Sequence, residues 1–391
     1  AGYKVEYTNV KYEYFDYTKI KSVTVNGTAI TLKNGVGTYT ATANGTYTIV
    51  VTDIYGNSRT FTQSVTNIDK TAPTAPTIKN SSGGNWTNQN VTITLSSTDS
   101  QSGVSKYQYK CSGTNNQWAD AKSTDTWTAE RNGTVYYRSI DNAGNISAES
   151  STSINIDKTA PTAPTIKNSS GGNWTNQNVT ITLSSTDSQS GVSKYQYKCS
   201  GTNNQWADAK STDTWSAERN ETVYYRAIDN TGNISAESST SIKIDKTAPA
   251  APTIKNSSGG NWTNQNVTIT LSSTDSQSGV SKYQIKYSGT SNEWKDIKST
   301  DNWGAERNET VYYRAVDNAG NVSTASSTVI KIDKTAPAAP TIKNSSGGNW
   351  TNQNVTITLS STDSQSGVSK YQYKCSGTNN QWADAKSTDT W

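Results

Sequence analysis

The chain has 391 residues, of which 31% are apolar and 17% charged, and its formal net charge is +4. That charge is too small over this length to argue for a nucleic-acid or membrane-surface partner. Histidine is absent, which excludes Ser-His-Asp catalysis and histidine-ligated metal sites. Three cysteines cannot build a CxxC metal cage, and no apolar run approaches the roughly 18 residues of a membrane span. We therefore predict a protein that is not an enzyme and has no membrane span in these residues.

An 88-residue repeat organises the chain. The segment IDKTAP recurs with its aspartate at Asp69, Asp157, Asp245 and Asp333, and the first two full copies differ at only five positions. All eight prolines fall in or just after these segments, where they fix φ and remove an amide donor, so these stretches are predicted to be stiff linkers between domains. The predicted domains are residues 1–68, 69–156, 157–244, 245–332 and 333–391.

The first and last domains are predicted to be truncated. Residues 1–68 are a divergent relative of the repeat, because Asp53–Asn57 matches Asp141–Asn145 and Asn9-Val10 lines up with Asn90-Val91. On that alignment the chain opens just before the second strand of its first domain, and the last copy stops after 59 of 88 residues. Because the chain also lacks an initial methionine, we expect a piece of a longer repetitive protein.

The first strands of each repeat follow from hydrophobic alternation. Residues 91–96 alternate apolar and polar side chains, as a strand with one buried face does. A polar turn is predicted at 98–103. In the next strand Tyr107, Tyr109 and Cys111 should face inward. Lys106, Gln108 and Lys110 should face outward. One inward cysteine per domain predicts a packing role rather than a disulfide.

A later strand is predicted over 134–141. Both of its faces carry apolar residues, but the first domain has Tyr47, Ile49 and Val51 in register, which favours Val135 and the residues two and four positions later as the buried set. Residues 141–145 then read as a tight turn.

The segment 146–156 is predicted to return along the domain. About seven short strands in 88 residues, with no helical period, indicate an all-β chain of tandem β-sandwich domains arranged as a beaded rod on the order of 150 Å long.

The IDKTAP linkers, the WTNQNVTITLSSTDSQSGVSKYQYK stretch and the VYYR-x-IDNAGN segment resemble tandem bacterial immunoglobulin-like repeats. Such arrays occur in large secreted or cell-wall-anchored proteins of Gram-positive bacteria, and sometimes in phage fibres. The resemblance covers nearly the whole chain and implies an immunoglobulin-like fold in a stalk or adhesin region. It implies an extracellular location, on a bacterial surface or secreted, with a phage virion as the alternative.

An immunoglobulin-like topology would bring three polar segments of each repeat to one pole. Their carboxylates could bind Ca²⁺, which takes six to eight oxygen ligands, and similar adhesin repeats use Ca²⁺ at domain junctions. The alternative is that these residues only close turns by bonding their own backbone. The candidate calcium ligands are Asp69, Asp99, Asp141, Asn142, Asp157, Asp187, Asp229, Asn230, Asp245, Asp275, Asp317 and Asn318.

The repeats contain all 12 tryptophans, three per copy. Exposed indoles could stack on sugar rings or form a partner-binding patch, whereas buried ones would only cover a thin sandwich. The polar run before one tryptophan of each copy makes that one the candidate ligand contact. These candidates are Trp118, Trp206, Trp294 and Trp382.

The sequence favours an extracellular stalk that holds a terminal domain away from a surface, since near-identical repeats supply length without a unique cleft. Its partners would be neighbouring immunoglobulin-like domains of the same longer chain. One alternative is a multivalent array that binds a host or surface glycan or protein through avidity. Another is a structural subunit of a filament, surface layer or phage fibre.

Overall fold

The computed structural model of the chain describes residues 20–290, 292–378 and 380–391. Within these ranges the regular structure is β-strand, and the only helical segments are single 3-10 turns. The all-β prediction is therefore confirmed, while the expected strand near Asn9 lies outside the described residues. The 3-10 turns are Ser112–Thr114, Ser200–Thr202, Ser288–Thr290 and Ser376–Thr378.

The chain divides into two compact units. The first contains the residues up to Thr162 together with Thr186–Ser193 and Ile228–Ser235. The second contains Ala163–Ser185, Lys194–Ala227 and Ala236–Trp391. The polar loops of the second repeat thus belong with the first unit, and they include its predicted calcium ligands.

The described part of the first unit starts with a four-stranded antiparallel sheet in the order β2-β1-β3-β4. Asn26 and Gly27 join its first two strands with φ of 45° and 82°. Two successive positive φ values are typical of the tight hairpin turn whose twist matches the strands. The strands are β1 (Ile20–Val25), β2 (Thr28–Ile30), β3 (Gly45–Asp53) and β4 (Ser58–Val65).

The first full repeat forms two sheets. One has the order β10-β7-β5 and the other β6-β12-β11-β8-β9. Strands β5, β7 and β10 therefore form one sheet. Strands β8, β11 and β12 form the centre of the other, with the short strands β6 and β9 at its edges. This arrangement is the immunoglobulin-like sandwich that was predicted. Its strands are β5 (Thr77–Asn80), β6 (Trp86–Thr87), β7 (Val91–Ser96), β8 (Val104–Lys110), β9 (Ala119–Ala121), β10 (Thr124–Trp127), β11 (Arg131–Asp141) and β12 (Ser150–Ile156).

The core of this repeat lies between the two sheets. Val91 and Ile93 from one sheet pack with Val135 and Tyr137 from the other, and all four are at most 1% exposed. Cys111 belongs to the same cluster and is buried. The predicted inward parity of these strands is confirmed, and Cys111 acts there as a small apolar side chain.

The returning strand begins later than the sequence suggested. Strand β12 starts at Ser150, and Ile146 forms only an isolated bridge to Ile140. The Ser147 N–H bonds the Ser139 carbonyl at 3.0 Å and the Ser147 hydroxyl donates to the Ala148 carbonyl, which closes a bend before the strand. The first repeat has eight strands and the third has seven, which agrees with the predicted number of about seven.

The second repeat has the same pair of sheets, in the orders β13-β15-β18 and β14-β20-β19-β16-β17. Its strands are β13 (Thr165–Asn168), β14 (Trp174–Thr175), β15 (Val179–Ser184), β16 (Val192–Lys198), β17 (Ala207–Ala209), β18 (Thr212–Trp215), β19 (Arg219–Asp229) and β20 (Ser238–Ile244).

The third and fourth repeats complete the second unit. Their sheets run β21-β22-β25 with β24-β23-β26-β27, and β28-β29-β32 with β30-β31. Their strands are β21 (Thr253–Asn256), β22 (Val267–Ser272), β23 (Val280–Lys286), β24 (Lys295–Ile297), β25 (Thr300–Trp303), β26 (Arg307–Asp317), β27 (Ser326–Ile332), β28 (Thr341–Asn344), β29 (Thr356–Ser360), β30 (Tyr371–Tyr373), β31 (Ala383–Ala385) and β32 (Thr388–Thr390).

Candidate metal centre

The turn before strand β8 is built around Asp99. Its Oδ1 accepts hydrogen bonds from the backbone N–H groups of Gln101, Ser102 and Gly103 at 3.1, 2.8 and 2.8 Å. Gly103 has φ of 78°, a conformation that glycine adopts without steric cost. The polar turn that the sequence predicted at 98–103 is thus held by the aspartate itself.

The turn after strand β11 is built in the same way. Asp141 Oδ1 accepts the N–H groups of Ala143 and Asn145 at 2.9 and 2.8 Å, and its Oδ2 accepts the Asn145 side-chain amide at 2.7 Å. Burial by itself would raise the pKa of Asp141, but the Asn145 amide and the backbone N–H groups outweigh it and lower that pKa below its ordinary value. Asp141 is therefore held as a carboxylate.

The linker aspartate joins these two turns. Asp69 Oδ1 accepts the Thr71 N–H at 2.9 Å, and its Oδ2 accepts the Ser102 N–H at 3.0 Å. The Asn145 amide also reaches the Asp69 carbonyl at 3.2 Å. One linker residue is in this way tied to both polar turns of the domain that follows it.

The carboxylates of all three predicted triplets converge. In each group one oxygen from every aspartate lies within 4.8 Å of the others. These aspartates were predicted to converge from the immunoglobulin-like topology that the resemblance implies. They are Asp69, Asp99 and Asp141; Asp157, Asp187 and Asp229; and Asp245, Asp275 and Asp317.

The second and third triplets are the more buried. Asp157 and Asp245 are fully buried, and no lysine or arginine forms an ion pair with any triplet within the described ranges. Lys158, which follows Asp157, instead extends its Nζ to the Asn90 side chain and the Thr128 carbonyl at 2.7 and 2.9 Å. Two of the three carboxylates in each of these triplets are buried. Neighbouring carboxylates repel one another and the buried ones lose hydration, so a cation among them would relieve both costs.

A buried serine hydroxyl lies in the same turn. The Ser278 N–H donates to Asp245 Oδ2 at 3.0 Å, and the Ser278 Oγ is buried with no hydrogen-bond partner among the described residues. Ser190 repeats this at the second triplet. Ca²⁺ bonds oxygens at 2.3–2.6 Å and tolerates irregular shells, so carboxylates spaced like these fit that ion.

The predicted asparagine ligands hold the two turns together. The Asn142 side-chain nitrogen donates to the carbonyls of Ser102 and Gly103 at 2.8 and 3.2 Å. Asn230 and Asn318 make the equivalent contacts in the next two repeats. Each asparagine therefore positions the aspartate turns through its nitrogen.

The fourth copy has two of the three aspartates. Asp333 Oδ2 accepts the Ser366 N–H at 3.0 Å, and Asp363 Oδ1 accepts the N–H groups of Gln365 and Gly367. The side chain of Ser366, followed by the backbone N–H of Thr335, lowers the pKa of Asp333 against the opposing effect of burial. The linker aspartate and its turn thus keep the same geometry here.

The candidate ligand tryptophans pack against cations. Trp118 is half-buried, with the Arg138 guanidinium 4.1 Å and the Lys110 Nζ 4.6 Å from its ring centroid. Trp206 and Trp294 have the same neighbours in their repeats. Trp382, in the fourth copy, is 62% exposed. In the three full repeats much of the indole is thus engaged by the protein's own side chains.

A glutamate that the sequence analysis did not single out bridges each junction between repeats. Glu130 Oε1 accepts the Lys158 N–H at 3.1 Å and the Thr159 hydroxyl at 2.5 Å, and its Oε2 accepts the Gln189 side-chain amide at 3.0 Å. Glu218 and Glu306 repeat this set at the next two junctions. Almost every residue recurs in these near-identical copies, so recurrence in the sequence could not identify this glutamate as a bridging residue.

No protein-family model matches this sequence, and no curated protein matches it. Among solved structures the chain is similar to fibronectin(III)-like modules of Clostridium thermocellum CbhA, with 18% identity and a TM-score of 0.27 over 43% of this chain and 94% of that one. It is similar to the FN1-FN3 domains of chicken CNTN1, with 17% identity and a TM-score of 0.24 over 66% and 99%. It is also similar to the three N-terminal domains of the bacteriophage RB49 highly immunogenic outer capsid protein, with 9% identity and a TM-score of 0.33 over 66% and 99%.

Within the described ranges, no helix has the length and apolar character needed to cross a membrane.

Proposed function

We propose that this chain is a non-catalytic, extracellular stalk region of a bacterial surface protein, which projects a terminal domain away from the surface. The observation that carries the proposal is the glutamate bridge at each junction between full repeats. Glu130 bonds both the linker and the next repeat, so a swing of one repeat against the other would break charge-assisted hydrogen bonds.

The linker backbone adds to this bridge. The Asp157 N–H donates to the Thr87 carbonyl of the preceding repeat at 3.0 Å, while the Asp157 carboxylate accepts the Ser190 N–H of the following one. Asp157 is thus hydrogen-bonded both to the repeat before the linker and to the repeat after it. A spacer requires this kind of short, doubly anchored connection, whereas a flexible tether would have a solvated one.

Calcium at the aspartate triplets is the second part of the proposal. A bound Ca²⁺ would join the linker aspartate to two turns of the following domain, and the carboxylate spacing and the buried serine hydroxyls support it. Binding to the folded state alone would also stabilise each domain by mass action.

Solution scattering by the full chain tests the stalk. If the chain is a spacer, we expect an elongated particle whose largest dimension is on the order of 150 Å, because the strands of each domain span about 30 Å. Replacing Glu130, Glu218 and Glu306 together by glutamine should broaden the distribution of dimensions. A compact particle, or one whose dimensions ignore these substitutions, would contradict the proposal.

A further inference from the structure

The second and third repeats each hold one of their own carboxylates in a small cradle. Arg219 Nη1 donates to Glu221 Oε1 at 2.5 Å, and the Ser200 N–H donates to Glu221 Oε2 at 3.1 Å, with the Ser200 hydroxyl also bonded to it. In the third repeat Arg307 Nη1 reaches Glu309 Oε2 at 3.1 Å, and the Ser288 hydroxyl bonds Oε1. Arginine and serine together therefore bind a carboxylate from two sides.

The first repeat has the same cradle without the carboxylate. Arg131 and Ser112 are retained, but the glutamate position is Gly133, and open space surrounds the place where its side chain would begin. Gly133 is one of only five differences between the first and second repeats.

Arg131 has no carboxylate partner among the described residues. Its Nη2 points to Cys111 Sγ at 3.7 Å, a weak acceptor, and its Nη1 is buried with no hydrogen-bond partner among the described residues. The guanidinium still packs on the Trp127 ring at 4.2 Å, as Arg219 does on Trp215. A buried donor without a partner is costly, so this cation is poised to accept an anion.

We propose that the first repeat binds a carboxylate from outside the domain at Arg131 and Ser112, in the place that Glu221 fills in the second repeat. The Arg131 guanidinium turns from Cys111 to the incoming group, as in the second and third repeats. A planar carboxylate matches the paired N–H donors of arginine. The carboxylate comes either from a free small acid or from an acidic side chain of a partner. This site does not depend on the proposed stalk function.

Selective ¹⁵N labelling of the seven arginines of the full chain tests the proposal. Titration with acetate should shift the Arg131 Nε–H resonance to saturation and leave Arg219 and Arg307 unmoved, while chloride at equal ionic strength should have no such effect. The Gly133→Glu variant should lose the response. The Glu221→Gly variant, which copies the natural first repeat, should gain a second responding arginine.

The source of the carboxylate is separated by two further titrations. Tighter binding of an N-acetyl-glutamate amide than of acetate, with no binding of the glutamine analogue, would indicate an acidic side chain of a partner; equal binding would indicate free acids. An Arg131 resonance that does not saturate with acetate, or that responds equally in Gly133→Glu, would overturn the proposal.

Discussion

Glu130 and Gln189 lie 59 positions apart in sequence, and the glutamate accepts a 3.0 Å hydrogen bond from the glutamine side chain. Glu130 follows the last strand of one sheet in the first repeat, whereas Gln189 is in the Asp187 turn of the second. The same turn supplies an aspartate of the candidate metal centre. The bridge and the candidate metal centre therefore meet at one junction.

Loss of this bridge should be measurable at the linker backbone. The Lys246 N–H donates to Glu218 Oε1 at 2.9 Å in the native chain. In the Glu218→Gln variant this N–H should exchange with solvent roughly tenfold faster, because a charged acceptor is replaced by a weaker neutral one. Hydrogen exchange resolved by NMR would record it. Glu237→Gln is the control, since Glu237 pairs with Lys198 within the second repeat. Equal exchange at Lys246 in both variants would contradict the bridging role.

Two equivalent buried tyrosines should differ in their response to loss of the hydroxyl. The Tyr313 hydroxyl bonds Asp301 Oδ2 at 3.1 Å, whereas the Tyr137 hydroxyl is buried with no partner among the described residues. Tyr313→Phe should therefore destabilise its repeat by about 1 kcal/mol, and Tyr137→Phe should be close to neutral. Calorimetric unfolding of the full chain with each variant measures this, and an equal loss in both would contradict the assignment.

Alkaline pH should weaken the first repeat through Tyr137. Burial raises the pKa of Tyr137 to about 12, while an unfolded tyrosine ionises near 10. Its contribution to stability is fully present below pH 10 and is lost as the pH rises through about 12, because the unfolded chain releases the proton first. Denaturant unfolding of the full chain across this range should show the decline. Tyr137→Phe should reduce the slope, and an unchanged slope would contradict it.

Sequence reasoning succeeded where alternation was strict. Val91, Ile93 and Leu95 gave the parity of one sheet without ambiguity, and each is buried. Strand β11 has apolar residues on both faces, and only the divergent first domain could decide that Val135 and Tyr137 face inward. Divergence between copies was thus more informative than identity.

The local bends and the covered tryptophans could not be predicted in the same way. Strand β12 begins at Ser150 because the Ser147 hydroxyl and N–H bond nearby carbonyls, which alternation does not reveal. The cations over Trp118 come from Lys110 and Arg138 on two other strands, so their approach depends on the register of the sheet. The aspartate triplets could be predicted from the sequence, because an immunoglobulin-like topology fixes which turns lie at the same end of the domain.

Calcium-dependent melting of the full chain tests the central claim most directly. Calorimetric scans with Ca²⁺ and with chelator should be compared for the native chain, for a variant with Asp99, Asp187 and Asp275 replaced by asparagine, and for the control Asp120→Asn. Asp120 pairs with Lys106 on an exposed sheet face, so its loss removes a carboxylate away from the triplets. The account predicts that Ca²⁺ raises the melting temperature of the native chain and of the control but not of the triple variant. No calcium response in the native chain, or an equal response in the triple variant, would contradict it.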